Sequence, residues 1–394
     1  MNLRMKRLLS CAAAIFAAAL FAAEPTPVVN WAKPGQWRAV APAEVSSDGA
    51  IVSIQQPGSA YTTIAAYPID GGQDTQKTYQ GISFRVRGDG SDEWGCIGIN
   101  NGLRFSGIYY FPVKSTDWVE YRVAFADMAP ACDHSAGLPR TVAVGDLGSL
   151  SLGDRWKIGT GGYRPTFHYE IADLKLLPEI PARFETKPLR PMPLADAVAK
   201  MKKGEQTRII CFGDSITAGT ALRNRESERY ATLLGPALAK HFGNPGITSH
   251  CAATGGAHGY ESVAWLDRDL KDGLPDVATM LIGYNNCSSA QSPEMYRAHL
   301  SMWIERLTQL TQGKCAIVLI PTIPGVPRFT TQDYMAKVTR EVAREYGCAI
   351  APIDEAIRRM GPFEYKAKYL ADGVHPNAEG HKLFCDILLS VLAR

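Results

Sequence analysis

The chain has 394 residues, of which 46% are hydrophobic and 21% are charged, a composition typical of folded globular proteins rather than disordered chains. The formal net charge is only +3 and the sequence contains no long basic run, so nucleic acid is excluded as the expected partner. A chain of this length usually divides into two domains.

Residues 1–23 are predicted to be a secretory signal peptide. Basic residues precede an alanine-rich apolar run, and small residues end that run before Glu24. The alternative is a short buried helix. The run is too short for a membrane anchor, so no stable membrane insertion is expected after cleavage near Ala22 or Ala23. We therefore expect a secreted or periplasmic protein.

Eight cysteines would remain after this cleavage, an even number that permits disulfide bonds in an oxidising compartment. Their spacing assigns no pairing, and the sequence has no CxxC pair of the kind that binds zinc, so no metal is expected. Cys211 and Cys348 lie in apolar strand-like segments, where a thiol acts as a small hydrophobic group.

Residues 24–184 are predicted to form an all-β sandwich of the jelly-roll type. Short segments rich in β-branched and aromatic residues are separated by Gly, Asp, Asn and Ser, and several of them alternate apolar and polar residues. The segments are GAIVSIQ, YTTIAAYPI, QGISFRVRGD, CIGINN, GIYYFPV, DWVEYRVAF, RWKIGT and TFHYEIADLKLL.

This strand pattern resembles the jelly-roll carbohydrate-binding domains that accompany secreted polysaccharide enzymes. The resemblance lies in the pattern and includes no specific motif. Trp94, Tyr109, Tyr110 and Trp118 are candidates for stacking on sugar rings. A core position is nevertheless the expected role for most of them, and for Trp118 in particular, because aromatic residues dominate sandwich cores.

Residues 185–394 are predicted to form a flavodoxin-like α/β/α domain around a parallel sheet. A proline-rich stretch ends the strand pattern near its start. Beyond it, buried-strand segments such as RIICF, VATMLIG and CAIVLIP alternate with helical stretches, which is the pattern of βαβ units. In such sheets ligands bind at the carboxyl ends of the strands.

The polar clusters of this half follow its predicted strands or lie in its last loop. Ser215 follows RIICF, Gly256 lies in ATGGAHG, Asn285 lies in GYNN, and Asp372 and His375 lie in DGVHPN. The spacing in the last loop lets Asp372 bind Nδ1 of His375, which leaves Nε2 free as a base for Ser215. The Ser215 amide, a glycine and Asn285 can then donate to an oxyanion.

These segments resemble the four blocks of the SGNH (GDSL) esterase and lipase superfamily, which carry a Ser, a Gly, an Asn and a His in that order. The resemblance implies that Ser215 is the nucleophile, His375 the general base and Asp372 its partner. It implies that Gly256 and Asn285 join the Ser215 amide in the oxyanion hole. The resemblance implies no metal or cofactor.

Two positions depart from a simple match to these blocks. Gly255 can align in place of Gly256, so the choice between the two glycines stays open. The third block usually reads Gly-x-Asn-Asp, whereas this chain has Asn286 as its last residue. In the neighbouring positions, His258 is expected to be exposed or at the rim of the pocket, and Cys287 is expected to be buried.

The sequence therefore predicts a secreted serine esterase that removes acyl groups, above all acetyl groups, from a polysaccharide or oligosaccharide through an acyl-enzyme. The segments between the blocks are short and leave no obvious lid, which favours a shallow acyl pocket beside Ile216 and Tyr284. One alternative is a lipase, lysophospholipase or thioesterase for longer acyl chains. Another is a carbohydrate-binding protein with an inactive hydrolase domain.

Overall fold

The computed structural model describes residues 24–28, 30–39, 43–56, 63–68, 74–102, 104–154, 166–184, 189–331 and 333–394. The signal segment predicted at residues 1–23 and the predicted strand RWKIGT lie outside these residues. Residues 185–188, where the second domain is predicted to begin, also lie outside them, so that boundary stays a prediction. Over the described ranges, no helix has the length and apolar character needed to cross a bilayer.

The first half of the described chain consists of β-strands in antiparallel sheets. The strands are β1 (Thr26–Pro27), β2 (Glu44–Ser47), β3 (Ile51–Gln56), β4 (Thr63–Pro68), β5 (Thr78–Tyr79), β6 (Gly81–Gly88), β7 (Trp94–Asn101), β8 (Phe105–Pro112), β9 (Val119–Ala124), β10 (Ala129–Pro130), β11 (Val142–Ala143), β12 (Ser149–Asp154) and β13 (Phe167–Leu177). One sheet has the order β2-β3-β13-β6-β9, with β1 also paired to β13. The other has the order β10-β8-β7-β12-β4, and β5 pairs with β11 separately.

These two sheets share one hydrophobic core. Phe84 and Ile171 from the first sheet and Ile97, Phe111 and Leu150 from the second belong to the same cluster of buried side chains. Phe84 and Phe111 contact each other with ring centroids 5.7 Å apart. The alternation along the strands therefore turns one face of each sheet inward, and the predicted all-β sandwich is confirmed.

The prediction that Trp118 lies in this core is wrong. Its indole is half-buried, and the guanidinium groups of Arg85 and Arg87 lie 5.2 and 4.9 Å from its ring centroid. Cation–π contacts of this kind let an aromatic ring cover charged side chains on the outer face of a sheet. Trp94 and Tyr110 are buried as expected, whereas Tyr109 is half-buried.

The second half of the chain alternates strands and helices. The strands are β14 (Thr207–Gly213), β15 (Ile247–Ala253), β16 (Val277–Leu281), β17 (Ala316–Ile320) and β18 (Ala349–Ile350). The helices are α1 (Leu194–Lys202), α2 (Ser215–Ala218), α3 (Arg225–Glu228), α4 (Tyr230–Phe242), α5 (Gly259–Ala264), α6 (Leu266–Asp269), α7 (Tyr284–Ser288), α8 (Pro293–Leu310), α9 (Asp333–Tyr346), α10 (Ile353–Tyr369) and α11 (Ala378–Leu392).

The strands of this half pair in parallel in the order β15-β14-β16-β17-β18. This is the flavodoxin-like order 2-1-3-4-5, and the predicted α/β/α fold is confirmed. Alternate residues of β14 face opposite layers: Ile209 and Cys211 pack in one buried cluster, whereas Ile210 and Phe212 pack in another. Burial on both faces explains why the strands read as continuous apolar runs.

The topology also locates the ligand site. The strand order changes direction between β14 and its neighbour β16, so the loops that leave these two strands diverge and open a crevice at their carboxyl ends. Ser215 begins the helix after β14, and Asn285 lies in the helix after β16. The fold therefore places two of the predicted site residues at one switch point.

Candidate active site

A serine, a histidine and an aspartate form one hydrogen-bonded chain at the carboxyl edge of the parallel sheet. Nε2 of His375 lies 3.0 Å from Oγ of Ser215, and Nδ1 of His375 lies 2.8 Å from Oδ2 of Asp372. The two hydrogen bonds use both ring nitrogens. If Nδ1 donates to the carboxylate, Nε2 is free to accept the proton of the hydroxyl.

The Asp372 carboxylate is held in place by the backbone of its own loop. Its Oδ1 accepts hydrogen bonds from the amides of Val374 at 2.6 Å and His375 at 2.7 Å. Burial opposes its ionisation, but these amides and the His375 ring outweigh burial and lower the pKa of Asp372 below its ordinary value. The side chain is 51% exposed, so the carboxylate both orients the imidazole and contacts solvent.

Ser215 is presented by a tight turn between β14 and α2. Asp214 is the N-cap of α2, and its Oδ1 accepts the amide hydrogen of Ile216 at 2.9 Å. Gly213 has no room for a side chain, because a Cβ there would lie 2.1 Å from Oγ1 of Thr217 and 2.6 Å from the Leu281 carbonyl. The first helical amide has no partner within the helix, which leaves the Ser215 N–H available to a ligand.

Asn285 and the glycine turn reach the same edge of the sheet. Nδ2 of Asn285 donates to the Ala257 carbonyl at 3.0 Å and lies 3.4 Å from Oδ2 of Asp214. Gly256 precedes Ala257 and has φ +73°, a left-handed conformation that favours glycine. The turn is joined to the end of β14 by the Thr254 amide, which donates to the Gly213 carbonyl. The structure thus brings all the predicted site residues to one region.

The surroundings of His258 differ from the expectation. The sequence predicted an exposed or pocket-rim position, but His258 is buried, with only 8% of its surface exposed. It is the N-cap residue of α5. Its Nδ1 lies 3.3 Å from the Glu261 carboxylate, and its Nε2 lies 2.8 Å from Oγ of Ser289. The backbone amide of His258 also donates to the Glu261 carboxylate at 2.9 Å, which fixes the start of α5. Cys287 is buried, as expected.

The buried carboxyl of Asp214 gives a testable pH dependence. It is 1% exposed, and burial raises its pKa to about 6, against the lowering effect of the Ile216 amide. At pH values between the ordinary pKa of an aspartate and about 6, Asp214 holds its proton in the native state but loses it in the unfolded state. The stability of the native state therefore falls as the pH rises through this range. The expected loss of stability from this group is about 3 kcal/mol.

Chemical denaturation of the wild type and Asp214→Asn from pH 4 to pH 8 measures this effect. The unfolding free energy of the wild type should fall relative to that of Asp214→Asn as pH rises to about 6 and stay parallel above it. The amide variant removes the titrating group, so the difference between the two curves isolates Asp214. A difference that does not change with pH would contradict the raised pKa.

A hydroxyl, an imidazole and a carboxylate in one chain, at the switch point of a doubly wound sheet, define the class of serine hydrolases. Residues 211–383 match the model of the GDSL-like lipase/acylhydrolase family. These residues therefore form a GDSL-like lipase/acylhydrolase domain.

A curated relative matches about half of the chain. It is an acetylxylan esterase of Xylanibacter ruminicola, 25% identical over 217 residues, and the match covers 48% of this chain and 44% of the relative. The chain thus spans less than half the length of that relative.

Two solved structures show a weaker likeness. A two-domain esterase active on acetylated mannans has 23% identity and a TM-score of 0.41, covering 50% of this chain and 52% of that one. An acetylxylan esterase from Geobacillus stearothermophilus has 19% identity and a TM-score of 0.40, covering 48% of this chain and 94% of that one. At these TM-scores the likeness supports no conclusion about activity.

Proposed function

We propose that this protein is a secreted serine esterase that removes acetyl groups from carbohydrate. The observation that carries the proposal is the Asp372–His375–Ser215 chain, in which both hydrogen bonds have lengths of 2.8–3.0 Å. Export is proposed from the signal pattern of residues 1–23. The chemistry requires neither a metal nor an organic cofactor.

The reaction divides into two acyl transfers at Ser215. Oγ attacks the ester carbonyl carbon while its proton moves to Nε2 of His375, and the negative charge develops on the carbonyl oxygen. The bond from the carbon to the sugar oxygen then breaks, and the sugar oxygen takes the proton from Nε2. A water molecule, deprotonated by Nε2, attacks the acyl-enzyme, which releases acetate and restores the serine.

The oxyanion formed in each step needs hydrogen-bond donors. We assign this role to the amides of Ser215 and Gly256 and to Nδ2 of Asn285, all of which lie on the loops after β14, β15 and β16. In the free enzyme Nδ2 of Asn285 donates to the Ala257 carbonyl at 3.0 Å and, more weakly, to Oδ2 of Asp214 at 3.4 Å, so an oxyanion replaces the longer of these two contacts. The Ala257 contact keeps the amide group close to its catalytic position, which lowers the cost of reorganisation in the transition state.

A carbohydrate substrate is supported by two observations. A relative that matches about half of the chain is named an acetylxylan esterase. The site also opens at the surface, since the side chains of Asp372 and His375 are 51% and 24% exposed. A surface site suits an acyl group that projects from a polymer, because the chain that carries the group need not enter a deep cavity.

A short acyl chain is expected because the apolar surface beside Ser215 is small. Ile216, predicted to border the acyl pocket, is buried in the hydrophobic core, whereas Tyr284 is half-buried and packs against Gly325. A long acyl chain gains about 0.8 kcal/mol for each CH₂ that it buries, so it needs a groove to be preferred. The half-exposed Tyr284 supplies only a small apolar contact.

The rate constants for p-nitrophenyl esters of increasing chain length test the proposal. We expect kcat/KM to be highest for the acetyl ester and to fall from butyryl onward, and we expect acetate release from acetylated xylan or mannan. Ser215→Ala serves as the control for uncatalysed hydrolysis. A maximum at octanoyl or longer esters would replace this proposal with the lipase alternative, and no hydrolysis of any ester would favour a binding protein.

A further inference from the structure

The β-sandwich docks on the helices that follow the glycine turn and the Asn285 loop. Trp94, Ile108 and Ala129 of the sandwich share one buried apolar cluster with Val263 of α5 and Trp303 of α8. This cluster crosses from one half of the chain to the other. The sandwich therefore contacts the elements that support the proposed oxyanion hole, rather than the opposite side of the hydrolase.

A buried arginine strengthens this contact. Arg306 of α8 is 7% exposed and donates from Nη2 to the Met128 carbonyl of the sandwich at 3.0 Å. Arg183, at the end of the sandwich, forms an ion pair of 2.7 Å with Asp267 of α6. A buried guanidinium must keep its partners, since removing them leaves an uncompensated charge. The two halves thus have a fixed arrangement over this interface.

A chain of hydrogen bonds crosses the same interface and ends beside Asn285. Nε2 of Gln291 lies 2.9 Å from Oδ1 of Asp133, in the sandwich, and 3.2 Å from Nδ1 of His299. Nε2 of His299 lies 2.8 Å from the Ser135 carbonyl. Nδ2 of Asn286 donates to Oε1 of Gln291. Asn286, Gln291 and His299 are all buried, and Asp133 is half-buried.

The groups at the two ends of this hydrogen-bond chain determine which atoms donate and which accept. The Ser135 carbonyl can only accept, so His299 carries its proton on Nε2 and accepts at Nδ1. Burial lowers the pKa of His299, which keeps the ring neutral. Oδ1 of Asp133 accepts the other hydrogen of the Gln291 amide, so both hydrogens of this amide are used. Its oxygen accepts a hydrogen from Nδ2 of Asn286, the side-chain donor that the described residues place there.

We propose that Asp133 and Ser135 of the β-sandwich are positioning residues of the esterase site, which act on Asn285 through Gln291 and Asn286. This inference rests on the proposed function. It also explains why Asn286 stands where the superfamily blocks usually have Asp: an aspartate would face Oε1 of Gln291 with no hydrogen to donate.

The hydrogen-bond chain controls a helix of only five residues, α7. Asn286 is held by Gln291, and Ser289, just beyond the last turn, is held by His258. So short a helix has little stability of its own and takes its position from such contacts. Asn285 directly precedes Asn286 in this helix, so a loss at Asn286 displaces the Asn285 amide relative to Ser215. The β-sandwich is therefore part of the active-site framework.

Substitutions at the two ends of the hydrogen-bond chain test this role. Asp133→Leu and Asn286→Asp are each expected to lower kcat for p-nitrophenyl acetate by about tenfold or more, with KM changed by about twofold or less, because a displaced oxyanion donor acts in the transition state. Asp133→Asn alone keeps an oxygen that accepts from Gln291 and should retain most of the activity. Asp92→Leu, at an exposed carboxylate of the sandwich paired with Lys114, is the matched control and should leave kcat unchanged.

Coupling between the two ends of the hydrogen-bond chain gives a second test. In the double variant Asn286→Asp with Asp133→Leu, the chain is already broken at position 286, so the second substitution should lower kcat by only about twofold or less below that of Asn286→Asp, because positions that act through one chain are not additive. All variants are assayed well below their own unfolding midpoints, so that a loss of folded protein does not lower kcat.

Each outcome bears on the inference. A lowered unfolding temperature with a wild-type kcat in Asp133→Leu would show a structural role only and overturn the inference. So would a double variant in which the losses of the two single variants multiply. If Asn286→Asp does not fold, Asp133→Leu alone decides between a positioning role and a purely structural role. If the wild type is active and Asp133→Leu has the same kcat, only the positioning role is overturned. If the wild type is inactive, the proposed function is overturned together with the positioning role.

Discussion

Ser215→Ala is expected to lower kcat/KM for p-nitrophenyl acetate by about a thousandfold or more. The hydroxyl is the only group of Ser215 that can form the acyl-enzyme, and it already lies 3.0 Å from the base His375. The fold should tolerate the change because Oγ lies at the end of the hydrogen-bonded chain and an alanine adds no bulk to the turn. Its effect on the free energy of unfolding should stay below about 1 kcal/mol.

Two measurements make this result specific. Ser227→Ala, at an exposed serine of the neighbouring helix α3, is the matched control and should keep wild-type activity. A fluorophosphonate should label the wild type and Ser227→Ala but not Ser215→Ala. If Ser215→Ala retained more than about a tenth of the wild-type rate, a loss far smaller than removal of a nucleophile causes, Ser215 would not be the nucleophile.

Much of the fold could be predicted from the sequence because its two halves have different hydrophobic periods. The alternating strands of the first half and the continuous apolar strands of the second half leave few choices of architecture. Trp118 shows the limit of this reasoning. A tryptophan beside a strand is usually a core residue, but here Arg85 and Arg87 of a neighbouring strand cover its ring on the outer face. The position of Trp118 therefore depends on contacts with a strand that is distant from it in the sequence.

The candidate site residues could be selected from the sequence for a similar reason. Each one follows a strand or lies in the last loop, and parallel strands bring their carboxyl ends together. The supporting residues were not found. Asp133 and Gln291 are 158 residues apart, and nothing in either segment marks the contact between them. The departure at Asn286 was the one visible signal, but its meaning depends on the direction of hydrogen bonds that only the structure shows.

The burial of His258 could not be predicted from the sequence either. An isolated histidine in a glycine-rich loop has no hydrophobic pattern around it, so its burial could not be inferred. The structure places it between Glu261 and Ser289, where it caps α5 and holds the end of α7.

His375→Ala is expected to be nearly as damaging as Ser215→Ala, with a loss of about a thousandfold or more in kcat, because no other base contacts the hydroxyl in the described structure. Asp372→Ala should retain more activity than His375→Ala. The Asp372 side chain is 51% exposed, so water can enter the space that the carboxylate leaves and accept the Nδ1 proton of His375.

Asp372→Asn should be worse than Asp372→Ala, although it is the smaller change. Oδ1 of Asp372 accepts the amides of Val374 and His375, and an asparagine must keep its oxygen there. Its NH₂ group then faces Nδ1 of His375 and donates to it, which puts the ring proton on Nε2. In this tautomer the imidazole cannot accept the proton of Ser215, whereas the water in Asp372→Ala can accept from Nδ1.

The ratio of kcat for Asp372→Ala to that for Asp372→Asn measures this effect, with p-nitrophenyl acetate as substrate. We expect the ratio to exceed about ten, since a fixed wrong tautomer removes the base as effectively as a substitution of the histidine. Glu364→Gln, an exposed carboxylate of α10 paired with Lys368, is the control for a charge change near this loop. Equal rates in the two Asp372 variants would mean that the loop reorients the asparagine, and wild-type rates in both would assign the orienting carboxylate to another residue.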